Sequence, residues 1–306
     1  MNDTVRPYPI GTPGVAWGEA EKAQWLARQV RKRSYKADVL DRIEPLYADF
    51  DALEYGRLEF DPERYPLMAL RTAPWRDDLP MVVVTGGVHG YETSGVMGAL
   101  RFLERRAREF EDRVNLLVAP CVSPWAWEMI QRWNMHAVDP NRSFGNRAAQ
   151  ESAALVDLVA PMNAQVLLHI DLHETTDTDE SEFRPALAAR DGKPFEPDVI
   201  PEGFYLVDDT EHPRTDFQAA VIDAVAAVTR IAQPDANGKI IGSPVVARGV
   251  IQYELKKLGL CIGMTDAPFK TTTEVYPDSP NTNPEECIEA QVTAVCAAIG
   301  FALENG

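Results

Sequence analysis

Two periods of hydrophobic and polar residues alternate along this chain. Short apolar runs closed by Gly, Pro or acidic residues predict strands: "YPLMALRT" (65–72), "MVVVTGG" (81–87), "VNLLVAP" (114–120), "QVLLHIDL" (165–172), "GFYLVDD" (203–209) and "TTTEVYP" (271–277). Between them, apolar groups recur at helical spacing. Residues 15–47 carry two such segments, "EKAQWLARQVRKR" and "KADVLDRIEPLYADF". Residues 92–110 place Val96, Leu100 and Leu103 on one face, and 216–232 and 283–303 repeat the pattern. In the last of these, Asn283 suits an N-cap, Pro284 suits the first helical position, and two glutamates favour the positive end. Strands alternating with helices predict a three-layer α/β/α fold with a mixed, largely parallel central sheet. No repeat, low-complexity linker or composition break divides the chain. The expectation is one domain over 1–306, with a helical lead-in at 1–60 and a loop-rich excursion at 233–270.

Composition narrows the partners. The chain has 306 residues, 45% hydrophobic, enough for one large core. Lys and Arg number 30 against 47 Asp and Glu, a net charge of −17 that argues against nucleic acid and anionic membranes as partners. The N-terminus "MNDTVRPYPIGTPG" has no apolar signal core, and no run approaches 18 apolar residues. These features predict a cytoplasmic protein that does not span a membrane. Cys121, Cys261, Cys287 and Cys296 have no metal-type CxxC spacing, so reduced thiols are expected.

Candidate chemistry begins where the Val run stops. "TGGVHGYE" places His89 and Glu92 just past a strand end, where open α/β sheets build their ligand sites. His173 occupies the same end of its own predicted strand. Two histidines and a carboxylate, with a position left open, form a catalytic zinc set. Asp171, two residues before His173, is placed to orient it. His169, inside an apolar strand, reads as a core histidine, and His136 and His212 read as exposed loop residues.

The segment "RWNMHAVDPNRSFG" (132–145) makes the pattern specific. His89-x-x-Glu92, Arg132, Asp139-Pro140-Asn141-Arg142-Ser143-Phe144 and Asp171-Leu172-His173, in this order, resemble the zinc metallocarboxypeptidase family. That family includes the pancreatic and cytosolic carboxypeptidases and the aspartoacylase and succinylglutamate desuccinylase branch. The resemblance implies that His89, Glu92 and His173 hold one zinc ion per chain. It implies that Asn141 and Arg142 grip a substrate carboxylate, and a guanidinium fork suits that task. It gives Arg132 the role of polarising the scissile carbonyl. The family takes its general base from a late strand, a place matched by Glu274 in "KTTTEVYP". Glu174, directly after His173, is the rival, but adjacent strand residues face opposite ways. It also opens the acidic run "ETTDTDESE", which reads as a solvated loop. Tyr253 is near a substrate-contacting tyrosine of some branches, although "QYELKKLGL" also reads as an amphipathic helix.

These residues imply a zinc hydrolase that cleaves an amide beside a free carboxylate: a metallocarboxypeptidase acting on peptides. The same residues would serve a deacylase of N-acyl amino acids, and a non-catalytic zinc-binding module is a third reading.

Overall fold

The computed structural model describes residues 8–306, so the first half of the N-terminal segment read for a signal core, residues 1–7, lies outside it. The described strands are β1 (Phe50–Arg57), β2 (Pro66–Thr72), β3 (Met81–Gly86), β4 (Asn115–Ala119), β5 (Val166–Glu174), β6 (Tyr205–Asp209), β7 (Lys239–Ile240), β8 (Ser243–Pro244), β9 (Val250–Tyr253) and β10 (Phe269–Val275). The α-helices are α1 (Glu19–Leu26), α2 (Asp41–Ile43), α3 (Thr93–Arg105), α4 (Pro124–Met129), α5 (Gln150–Val159), α6 (Arg184–Arg190), α7 (Thr215–Val225) and α8 (Pro284–Asn305).

Eight strands form one sheet in the order β1-β2-β4-β3-β5-β10-β6-β9, and β7 pairs only with β8. Strands β4, β3, β5 and β10 are mutually parallel and form the centre. β1 and β2 extend one edge antiparallel, and β6 meets β10 antiparallel before pairing in parallel with β9. This is the expected mixed α/β/α architecture. The central strands are covered on both faces, which is why their sequences read as unbroken apolar runs. Val82, Val84, Leu116, Val118, Leu168, Ile170 and Leu172 join the core that includes residues of α3, α7 and α8. Their alternates Met81, Val83, Leu117 and Ala119 pack with Val166 at the start of β5 and with Leu155 and Val159 of α5. Each fully buried Val or Leu contributes about 1.5–3 kcal/mol.

Several elements differ from the sequence expectation. The 1–60 lead-in is not helical throughout: β1 closes the sheet edge, and its polar, mostly exposed residues hid it. The lead-in also docks Trp25 against Trp125 and Trp133, with ring centroids 6.2 and 5.6 Å apart. "QYELKKLGL" is not a helix: β9 ends at Tyr253 and a turn follows. The acidic run after His173 is not a solvated loop, because Glu174 and Asp179 are buried and α6 follows shortly after. By length and composition α8 could cross a membrane, contrary to the reading that no segment could, but it packs against α3, α7, β5 and β10. Its start follows expectation: the Asn283 side chain accepts from the Glu286 N–H at 3.0 Å. All four cysteines are free.

The helix α3 lies unusually close to β5. A Cβ on Gly95 would sit 2.3 Å from the Leu172 carbonyl oxygen, on backbone that cannot yield. Gly95→Ala should therefore cost about 1–3 kcal/mol. A thermal melt should show a fall of several degrees; an unchanged melting temperature would mean the two elements can separate without penalty.

Candidate active site

The C-terminal ends of β3 and β5 meet the loop that enters α3. Gly87 turns the chain out of β3 with φ +60°, a conformation that favours glycine. Residues 88–92 then carry His89 and Glu92 back over the sheet. Both are 1% exposed, as is His173 near the end of β5. One ligand atom from each of the three lies within 4.8 Å of the others. Glu92 Oε1 is 2.8 Å from His89 Nδ1 and 3.1 Å from His173 Nδ1.

The far nitrogens of both imidazoles are anchored. His173 Nε2 meets Asp171 Oδ2 at 2.6 Å, and His89 Nε2 meets Asp139 Oδ1 at 3.0 Å. With Nε2–H donating to a carboxylate, each Nδ1 would be left free to ligate a cation beside Glu92. Asp171 thus stands where its spacing predicted, itself held by the Thr85 hydroxyl at 2.6 Å. Glu92 Oε2 is buried without a hydrogen-bond partner, although His173 Nδ1 lies 3.0 Å from it. Two converging imidazoles, a carboxylate with an unsatisfied oxygen and two anchoring carboxylates fit a divalent cation. Burial opposes ionisation of Glu92, but His173 and His89 outweigh it and hold its carboxyl down to about 2.

Glu274 on β10 is register partner of His173 on β5, and both side chains stand on the same face of the parallel pair. Its Oε2 accepts from the Thr175 hydroxyl at 2.9 Å, which in turn meets the Tyr205 hydroxyl at 2.8 Å. Burial raises the Glu274 carboxyl to about 8, with His173 opposing the rise and Glu92 adding to it. Glu174 faces the other way. Its two oxygens accept from the backbone N–H groups of Thr93 (2.9 Å) and Ser94 (2.7 Å), although burial raises its carboxyl to about 7.

Arg132 is tied to Asp139 Oδ2 through Nε at 3.1 Å and to the Tyr91 hydroxyl through Nη1 at 3.2 Å. Asp179 completes this cluster, accepting from Tyr91 at 2.9 Å and from the Thr176 N–H at 2.8 Å. Asp139 is held well below the ordinary carboxylate range, because Arg132 and His89 outweigh its burial. Asn141 accepts the Cys261 N–H on Oδ1 at 2.8 Å, which fixes its amide. The Arg142 guanidinium is hydrogen-bonded only to the Asn141 carbonyl, at 3.0 Å, and among the described residues no carboxylate lies within ion-pair distance of it. Its side chain is exposed toward the cavity.

His89, Arg132, Asn141, Arg142, His173, Tyr253 and Glu274 all line one cavity of about 810 Å³; Glu92 lies beneath it. His169 is buried away from it, neutralised by burial to about 4, and His136 and His212 are exposed. Sequence reading gave no role to Tyr91, Thr175, Asp179 or Tyr205. Thr175 shares the alternation of Asp171 and His173, the one signal that could have found it. The others are brought in by loops and neighbouring strands.

The sequence profile of the succinylglutamate desuccinylase/aspartoacylase catalytic domain matches residues 78–191, which span His89, Glu92, the Asn141–Arg142 pair and His173. Over that stretch, a little over a third of its length, the chain is similar to this catalytic domain. Among solved structures its fold is similar to that of a provisionally assigned metallopeptidase of Shewanella amazonensis (20% identity, 87% of this chain and 91% of that one, TM-score 0.64). It is also similar to a metallo-carboxypeptidase of Burkholderia cenocepacia (15%, 94% and 70%, 0.59). Carboxypeptidase A of Helicoverpa armigera is a further match (13%, 96% and 75%, 0.59). No curated protein matches by sequence. The similarity to solved structures is one of fold, and the matched profile covers the segment that carries most of the site.

A cation held by His89, Glu92 and His173 binds the folded chain only, so it must stabilise it. Chelator should lower the melting temperature of the purified protein, and added divalent ion should restore it. His173→Ala should melt at one temperature with or without chelator. A chelator response that survives this substitution would place the ion elsewhere.

The raised Glu274 carboxyl sets a pH dependence in the chelated protein. Its folded pKa, about 8, lies above its ordinary 4.5, so the stability its neutral form provides is complete below about 4.5 and declines up to about 8. The slope reaches about 1.4 kcal/mol per pH unit. Glu274→Gln cannot ionise, so its stability relative to wild type should rise across that window and level off above it. Urea melts at a series of pH values measure this; a constant difference would mean Glu274 titrates normally.

Proposed function

We propose that this chain is a zinc-dependent hydrolase that cleaves the amide bond next to a free carboxylate, with a peptide on the acyl side. The observation that carries the reading is Arg142, solvent-exposed but without a carboxylate partner among the described residues, in the same cavity as the His89–Glu92–His173 triad and Glu274. A guanidinium left without a protein counter-charge in a cavity offers an incoming carboxylate a bidentate, charge-assisted pair. Asn141, its oxygen engaged by Cys261, presents its amide N–H groups as added donors.

When bound, the zinc ion supplies Lewis acidity toward a carbonyl and acidifies a coordinated water. Glu274 takes a proton from the attacking water and returns it to the departing amine. Thr175 orients its carboxylate, and burial sets its basicity nearer neutrality. Arg132 stands by to stabilise the oxyanion, held in place by Asp139, Tyr91 and Asp179. Tyr253, at the end of β9, closes the cavity wall beside the clamp.

The second reading, an N-acyl amino acid deacylase, is favoured by the desuccinylase/aspartoacylase profile. A small anionic acyl group would need another free cation. Arg184 and Arg190 do line the cavity, but Arg184 pairs with Glu180 and Asp198, and Arg190 with Asp191 and the Ala137 carbonyl. This pairing supports the peptide reading.

Zinc-loaded protein should hydrolyse N-capped dipeptides and tripeptides at the C-terminal bond and tolerate longer acyl sides. Amidating the substrate carboxylate should raise KM sharply, and Arg142→Met should compress that difference. Glu274→Gln should lower kcat by roughly 10²–10⁴-fold while zinc is retained. Turnover of N-acetyl or N-succinyl amino acids, with every peptide refused, would select the deacylase reading.

A further inference from the structure

Glu92 is the N-cap residue of α3, with φ −80° and ψ 87°, yet its side chain makes no capping bond. A carboxylate in that position ordinarily accepts from the first turn of its own helix. Here it is turned the other way, onto His89 and His173. The first N–H groups of α3 are therefore left without their usual acceptor in a buried place, where unpaired backbone donors are costly. Glu174 supplies both acceptors. Its Oε2 takes the Thr93 N–H at 2.9 Å and its Oε1 the Ser94 N–H at 2.7 Å, and it is 3% exposed. Arg33 adds a bond to the Thr93 hydroxyl at 2.6 Å.

Strand alternation joins the two tasks. His173 and Glu174 are neighbours at the end of β5 and face opposite ways. One contributes an imidazole to the triad; the other grips the helix start that carries Glu92. We propose that Glu174 is a positioning residue for the metal site, capping α3 in place of Glu92 so that Glu92 can serve as a ligand. This rests on the metal reading of the triad. A negative charge at the positive end of α3 adds to the hold.

The test is zinc affinity, measured by competition with a chromophoric chelator, for wild type, Glu174→Gln, Glu174→Ala and Asn283→Ala. Asn283→Ala removes a cap of the same kind from α8, far from the triad in sequence, and reports what cap loss alone does. Glu174→Ala should weaken zinc roughly 10–100-fold. Glu174→Gln keeps one acceptor oxygen and should weaken it by less. Asn283→Ala should lower the melting temperature and leave zinc affinity unchanged. If Glu174→Ala does not fold, Glu174→Gln decides. Wild-type zinc affinity in Glu174→Gln and in any folded Glu174→Ala overturns this inference alone, whereas a wild-type chain that takes no zinc overturns the metal reading with it.

Discussion

The cavity depends on how buried negative charge is compensated at the ends of β3 and β5. Glu92, Asp139, Asp171 and Asp179 lie within one buried cluster, while the arginines beside them are Arg132 and Arg142. Carboxyl groups outnumber guanidiniums there before the histidines are counted. Buried charge in this excess is expensive unless something positive enters. One divalent cation meets the need, so the arrangement suits a cation site. Asp139 shows the economy: one oxygen orients His89 and the other holds Arg132, so a candidate metal ligand and a cationic donor are set by a single carboxylate.

Where these groups stand follows from the sheet. Parallel strands bring their C-terminal ends to one edge, and β3 and β5 deliver the loop of His89 and Glu92 beside His173. β10, parallel to β5, adds Glu274 at the matching level. The site is thus carried by backbone hydrogen bonds within an apolar core, with loops supplying only the clamp and Arg132. Rigid support of this kind keeps buried polar groups at the short spacing they need.

What was legible in the sequence tracks burial on both faces. The runs at 81–87, 114–120 and 165–172 could be read because central strands exclude polar residues altogether. The triad was legible because its members fall at strand ends at short spacing, and Asp171 because alternation puts it on the face of His173. β1 escaped because an edge strand can be polar, and β9 because "VIQYELKK" runs from strand into turn without a break in its apolar spacing. The acidic run after His173 misled for another reason. Composition alone cannot separate a solvated charge from a buried one: Glu174 is held by backbone N–H groups from α3, 80 residues away, and Asp179 by Tyr91 and Arg132. Partners that distant in sequence leave no local trace.

The cavity walls differ, and the difference bears on which substrates the proposed reaction would accept. On the side of β6 and β10 the lining is Tyr205, Val207, Leu260 and Thr272, continuous with a small apolar core. On the side of α6 it is charged, but Arg184 and Arg190 already have partners. A charged acyl group would have to displace Glu180, Asp198 or Asp191 to use those guanidiniums, exchanging one ion pair for another with little net gain. An uncharged peptide displaces nothing and needs only backbone contacts along an open cavity. Arg142 asks for the opposite: without a counter-charge among the described residues, it would favour a carboxylate whatever lies beyond the scissile bond. In the proposed reaction the Asn141–Arg142 pair would fix one end of the substrate by charge and leave the other to shape, which suits recognition of a chain terminus better than of a whole small molecule.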